Sequence, residues 1–299
     1  MSTVPSERRR GLFIVTFVYL CAALAAWAVV RWLPSGLHPL WVAAFADGVA
    51  TCVVFGWSLA HDNSSMYDPY WSAAPLLLAP WLSCLPEAAG AVGLRQALVI
   101  ACVYAWGLRL TYNWARGWHG MRHEDWRYVD LRRSTGRLYW LVSLVGLHLM
   151  PTVMVFLGCL SLWPALVVGT APLSWLDGAG ALVCAVAIGC QAVADRQLHE
   201  FRRSGPPPGA ILDRGLWGWS RHPNYFGEVT QWWGLFLIGL AAAPGTWWPI
   251  TGAVAITLLF VFVSIPLIER RMHARRSGWA EHCRRVSALV PWPPRRAGR

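Results

Sequence analysis

The residues with the densest chemistry lie between Gly215 and Gly234. Within Gly215-Leu216-Trp217-Gly218-Trp219-Ser220-Arg221-His222-Pro223-Asn224-Tyr225-Phe226-Gly227-Glu228, Arg221 and His222 offer planar donors, and Pro223 drives its predecessor out of helical geometry. Asn224 is suited to cap the helix that begins there. A helix opening at such a loop presents unpaired N–H groups and the positive end of its dipole, a place to hold phosphate. Upstream, Asp195 and Arg202 stand seven apart, two helical turns, so both point to one side. The Asp can accept from hydroxyls and an amide, and the Arg can fork onto phosphate or carboxylate. Taken alone, the pair reads more plainly as an ion pair.

These residues are carried by an unusually apolar chain. Its 299 residues are 56% hydrophobic with 21 Trp and a mean hydropathy of +0.39, values of a polytopic membrane protein. The net charge of +11 sits in a few arginine-rich loops between apolar segments, as the positive-inside rule produces, and no groove-reading element accompanies it, which argues against nucleic acid. Every basic side chain apart from histidine is Arg. The 8 Cys fall mostly inside apolar runs, without a C-x-x-C pair or zinc-ligand spacing, and read as packing residues instead of a metal site.

Hydropathy predicts an all-α transmembrane bundle of about eight spans, forming a single membrane domain over residues 1–299. The runs are Leu12–Leu33, Leu40–Ala60, Trp71–Leu85, Arg95–Thr111, Leu138–Leu160 with a kink at Pro151, Leu173–Leu198, Tyr225–Ala243 and Trp247–Ile268. The first is too long for a signal-peptide core and stays attached. In the second, Asp47, Thr51 and Ser58 share one helical face, and Asp47 reads as a partner for another helix or, less simply, part of a pocket. With both termini in the cytoplasm, every arginine-rich connection falls inside, and the connections near Ser161–Ala171 and Ala241–Thr246 fall outside. The polar clusters then share the cytoplasmic face, a concentration that favours a ligand over scaffolding. Tyr112 ends the fourth run beside Asn113 and Arg116; a phenol there has an apolar ring for a substrate and a hydroxyl that cations make more acidic. An aromatic-belt tyrosine is the plain alternative.

Leu216-Trp217-x-x-Ser220-Arg221-His222-Pro223-Asn224-Tyr225-x-Gly227-Glu228 with Trp232-Trp233-Gly234 resembles the C-terminal signature of the steroid 5-alpha-reductase-like membrane family, in its bacterial branch. Ser64-x-x-x-Asp68-Pro69-x-Trp71, Tyr112-Asn113-Trp114-x-Arg116-Gly117-Trp118 and Glu124-Asp125-Trp126-Arg127-Tyr128 are similar to that branch too, so the likeness runs from about residue 60 to 292. The resemblance implies a membrane reductase that takes hydride from NADPH to reduce an activated carbon–carbon double bond in a lipid-like or steroid-like, apolar substrate. It implies cofactor contacts from Asp195, Arg202, Asn224 and Glu228, with Arg221, His222 and Tyr225 shaping the pocket. By the same resemblance, Tyr112 and Asp68 are the candidates that polarise the substrate, although the acidic motif differs from that of the steroid enzymes. An extra phosphate benefits from forked arginine, which suits NADPH over NADH. Membrane methyltransferases of the isoprenylcysteine and phospholipid type also carry an Arg-His-Pro-x-Tyr-x-Gly element with a later acidic residue, matched here by Glu269-Arg270-Arg271. S-adenosylmethionine is therefore the alternative cofactor.

Overall fold

A computed structural model describes residues 4–295. The end of the basic tail, residues 296–299, lies outside the described residues. Among the described residues the chain is helical throughout, with no β-strand and one isolated bridge, Ser220 to Ser287. The helices group as two compact units.

Unit one comprises residues up to Cys84 together with Trp106–Leu160. It contains α1 (Val4–Trp32), α2 (Pro39–Ala60), α3 (Tyr70–Ser83) and the C-terminal half of α4 (Gly93–Gly117). After these come α5 (Trp126–Thr135), α6 (Tyr139–Val142) and α7 (Met150–Cys159). Val15, Val18 and Ala22 of α1 pack on Ala50 and Val54 of α2, over Met66 and Tyr67 of the connection. The opposite face of α1 exposes Phe13, Leu20, Leu24 and Trp27, side chains that suit hydrocarbon instead of water. The irregularity expected at Pro151 takes the form of a π turn, Ser143–Leu149. Proline lacks an N–H and crowds the preceding turn, and a wider turn accommodates both defects.

Unit two comprises Leu85–Ala105 and the chain from Ser161 onward. Its axis is the pairing of α8 (Trp175–Arg203) with α9 (Pro223–Ala242). The two approach through glycine: a Cβ on Gly234 would lie 2.5 Å from the Cys184 sulfur, and one on Gly180 would lie 2.8 Å from the Gly234 carbonyl oxygen. Small residues at a crossing allow this contact. Then α10 (Ile250–Leu259) passes through a π turn into α11 (Ile265–Arg275), before α12 (Trp279–Arg285). At its far end Arg95 is fully buried, donating to Asp177 through Nε (2.6 Å) and Nη2 (3.0 Å) and to the carbonyls of Ala171 and Pro172.

Among the described residues, five stretches are long and apolar enough to cross a membrane: Ser6–Trp32, Pro39–Ala60, Trp126–Val168, Trp175–Arg203 and Ile250–Arg275. Against the eight expected runs, α3 has only 14 residues, and α4 carries Arg95, Arg109 and Arg116. In α9, Asn224, Glu228 and Gln231 dilute the apolar character. The connection expected around Ser161–Ala171 is largely buried, and Pro164–Val168 forms a π turn there. Gly239 lets this segment approach, since a Cβ would meet the Ser161 carbonyl at 2.8 Å.

Candidate functional site

In unit two the polar chemistry of the opening motif is built on a loop held from both sides. Gly215 has a φ of +59° and sits against the Gln197 side chain, which a Cβ would meet at 2.3 Å; only glycine fits such a position. Gln197 Oε1 accepts from the Leu216 N–H at 3.0 Å, and Trp217 Nε1 donates to Ala194 O at 3.0 Å. These bonds tie the loop to α8. On its other side, Arg221 N donates to Ser287 O at 2.8 Å and Ser220 Oγ to Leu289 O at 2.7 Å.

Pro223 occupies the first helical position of α9 and holds His222 at φ −138°, ψ 59°, outside helical geometry. The residue at the cap is therefore His222, and Asn224, expected to cap the helix, is its second residue because the proline starts the helix one position earlier. Arg221 spends its guanidinium on protein: Nε donates to Glu269 Oε1 at 2.7 Å, and Nη1 donates to Cys283 O at 3.1 Å and, through a short bond, to Val286 O. His222 Nε2 lies 3.2 Å from the same Glu269 oxygen, and its ring stacks on Tyr225, centroids 5.4 Å apart. Arg221, His222, Tyr225 and Glu269 are thus one cluster that also fastens the C-terminal segment.

Along α9, Asn224, Glu228 and Gln231 fall on one face at helical spacing. Asn224 is half-buried and Glu228 buried, accepting from Trp232 Nε1 at 3.1 Å. The Gln231 amide is fully buried, and neither its oxygen nor its nitrogen is hydrogen-bonded. Such a group costs several kcal/mol unless something polar meets it. On α8, Asp195 is half-buried and Arg202 exposed. Burial and then the neighbouring Arg202 hold the Arg276 guanidinium below its ordinary value, so two cations converge where an anion would be welcome. Gln231 belongs to the polar stretch legible in the sequence, but a lone Gln in an apolar run receives no role until its partners are known to be missing.

Unit one holds a different feature, a cavity of about 350 Å³. Its walls include Ala22, Ala46, Ala50 and Ala73 with Trp27 and Phe156, and its polar groups are Asp47, Tyr70 and Tyr19. Tyr70 Oη donates to Asp47 Oδ1 at 2.7 Å. Asp47, read from the sequence as a helix partner, is both that and a cavity residue. An acid joined to a phenol at the end of an apolar slot can donate to a carbonyl oxygen or protonate a carbanion. Tyr70 was within reach of sequence reading, between Pro69 and Trp71 of the Asp68-Pro69-x-Trp71 motif, but nothing in the spacing connects it to Asp47.

Tyr112 is 63% exposed, does not line this cavity, and lies with its ring 5.8 Å from the Arg116 guanidinium carbon. Asp68 is also outside the cavity lining. It accepts a short hydrogen bond from Tyr128 Oη and stands 3.8 Å from Arg127 Nη2. Burial raises its carboxyl from 3.8 to about 6, against the opposing pull of Arg127 and Tyr128.

Long apolar helices around an apolar cavity, with arginine-rich connections, define a helical integral membrane protein. The chain belongs to the family described as protein of unknown function (DUF1295), whose model matches residues 54–286. That stretch contains Asp68, Tyr70, Tyr112 and the unit-two cluster, and begins just after Asp47. The chain is similar to an uncharacterized protein of Schizosaccharomyces pombe (strain 972 / ATCC 24843), 24% identical over 230 residues, which are 69% of this chain and 66% of that protein. No solved structure matches the chain.

Proposed function

We propose that the protein is a membrane-embedded, NADPH-dependent reductase of an activated carbon–carbon double bond in a lipid-like or steroid-like substrate. The observation that carries this reading is the Asp47–Tyr70 pair at the polar end of an alanine-walled cavity. The slot accepts a flat apolar molecule, and the pair supplies the proton that such a reduction consumes. The roles that resemblance assigns to Asp68 and Tyr112 are served better by Asp47 and Tyr70, because the latter two share a hydrogen bond and an apolar wall. In unit two, Asp195, Arg202, Asn224 and Glu228 would hold the dinucleotide, with Arg221, His222 and Tyr225 shaping the loop beside them. The unpaired Gln231 amide and the Arg202–Arg276 convergence fit a ligand with an amide and a phosphate. When bound, NADPH supplies the hydride.

In this reading α3, α4 and α9 complete a set of about eight crossings in a bacterial cell membrane, with both termini cytoplasmic. Reporter fusions at Arg299 should read as internal, and an external C-terminus would refute the topology. The fit of S-adenosylmethionine is the second reading, favoured by Glu269, which joins Arg221 and His222 in one cluster. Thermal unfolding of the detergent-purified protein with each cofactor decides between them, since a ligand at a hundred times its Kd adds about 2.7 kcal/mol. With NADPH turnover established, Tyr70→Phe should cost roughly 10²–10⁴-fold in kcat while cofactor affinity stays. If Tyr112→Phe alone shows that loss, the proton donor is Tyr112 after all.

A further inference from the structure

Asp47, Thr51 and Ser58 line one side of α2, and the structure gives each a buried partner. From the cavity, the hydroxyl of Tyr70 bonds Asp47, and Thr51 follows one helical turn along the same face of α2. Thr51 Oγ1 lies 2.8 Å from Thr152 Oγ1, which lies 2.7 Å from Tyr67 Oη. A second run starts at Ser58, whose Oγ is 3.3 Å from His148 Nε2. His148 Nδ1 is 3.0 Å from Ser143 O and 3.5 Å from Ser143 Oγ. Ser143 Oγ is 3.0 Å from Ser64 Oγ, itself 2.7 Å from Tyr139 Oη. Tyr139 Oη donates to Glu124 Oε1 at 3.2 Å, and Arg132 joins Glu124 to the exposed Asp62. Between the runs the Tyr67 ring lies on the His148 imidazole, centroids 4.8 Å apart.

We infer that these two runs are a proton path, leading from Glu124 at the polar edge of unit one to the Asp47–Tyr70 pair in the cavity. The path covers about 17 Å of α2 at 1.5 Å per residue. Three features set it apart from ordinary satisfaction of buried polar groups. First, its ends are carboxyl groups, one at an apolar cavity and one tied to an exposed aspartate. Second, its hydroxyls have a choice of direction. Thr152 faces both Tyr67 and Thr51, and Ser64 faces both Tyr139 and Ser143; a hydroxyl carries one proton and two lone pairs, so these links can point either way, whereas Ser58 Oγ donates to the Val54 carbonyl at 2.9 Å and closes the second run. Reversing a run takes up one proton at one end and releases one at the other. Third, the imidazole at the centre is fully buried and sits in the π turn, Ser143–Leu149. Pro151 accounts for the turn, and π turns are frequent at functional sites. At the junction the Tyr67 and His148 rings are in contact without a hydrogen bond, so the handover requires the imidazole to turn towards the phenol.

The need for such a path rests on the reductase reading, in which each turnover draws one proton from the cavity pair. Its test requires neither substrate nor cofactor. Infrared spectroscopy of the purified protein moved into deuterium oxide follows the protonated-carboxyl band that Asp47→Asn removes. In the parent this band should shift at once. In Thr152→Val, which keeps the shape and removes the hydroxyl, and in His148→Phe, the shift should slow by roughly 10²-fold, with Thr152→Ser restoring it. Exchange at the parental rate in both Thr152→Val and His148→Phe overturns the path, and so does the lack of any Asp47-dependent carboxyl band. If either variant fails to fold, Ser143→Ala, in the outer run, reads the same quantity and decides. A parent that exchanges rapidly yet binds no NADPH refutes the reductase reading and leaves the path standing.

Discussion

Replacing Arg221 by lysine distinguishes two uses of the signature arginine. Sequence reasoning assigns it to the pocket of a phosphate-bearing ligand; in the structure it is 9% exposed and donates to Glu269, Cys283 O and Val286 O. A lysine ammonium can stay near Glu269 but cannot fork onto the two carbonyls as well. Losing two hydrogen bonds from a charged donor, each worth about 1.5–3 kcal/mol, costs roughly 3–6 kcal/mol, of which one bond remade by the ammonium returns a part and leaves roughly 2–4 kcal/mol. In thermal unfolding followed by tryptophan fluorescence, this should lower the midpoint by on the order of 5–10 °C. Because the carbonyls belong to α12 and the residue that caps it, trypsin should also cut earliest at Arg284 and Arg285 in the variant, as that helix detaches. Glu269→Gln should weaken the same contacts, and the double variant should cost less than the sum of the singles. The clamp argument is refuted if Arg221→Lys unfolds and digests like the parent while losing NADPH affinity, because Arg221 would then serve the ligand alone.

The buried pair in unit two makes a contrasting stability prediction. Asp177→Asn should cost about 3–5 kcal/mol by leaving the Arg95 charge uncompensated, whereas Arg95→Met with Asp177→Leu, which removes both charges and loses the Ser174 cap and the bonds to the Ala171 and Pro172 carbonyls, should cost less than Asp177→Asn alone; equal losses in chemical unfolding would show that the pair itself drives folding. For Asp68 the direction in pH follows from its raised carboxyl. The folded state binds the proton more tightly than the unfolded chain, so stability is highest below about pH 4, falls as pH rises towards 6 and is level above. The ceiling is about 3 kcal/mol, and Asp68→Asn should flatten this slope in unfolding midpoints measured across the range. Gly234→Ala should cost roughly 1–3 kcal/mol by pushing α9 off Cys184. A neutral Gly234→Ala result in the same unfolding measurement would mean that the α8–α9 contact yields.

Composition and hydropathy alone determined that the chain is helical and lives among lipids, because a run of apolar residues long enough to span hydrocarbon satisfies its backbone only as a helix. The irregular turn near Pro151 was equally legible, since a missing N–H acts locally. The start of α9 at Pro223 was nearly so, and the cap moved from Asn224 to His222 by a rule as local as the one that suggested Asn224. Motif spacing also marked out the loop from Gly215 to Glu228. What the loop's arginine does was decided elsewhere: Glu269, Cys283 and Val286 lie 48 to 65 residues away, and no periodicity connects them. The same holds for Asp47, whose stripe with Thr51 and Ser58 was readable along α2, while its phenol, its cavity and the hydroxyls beyond it come from α3, α7 and the π turn. A single helix shows which side chains share a face. Which of those faces ends as packing, clamp or site depends on partners that only the folded chain brings within hydrogen-bonding distance, where burial makes each unpaired polar atom costly.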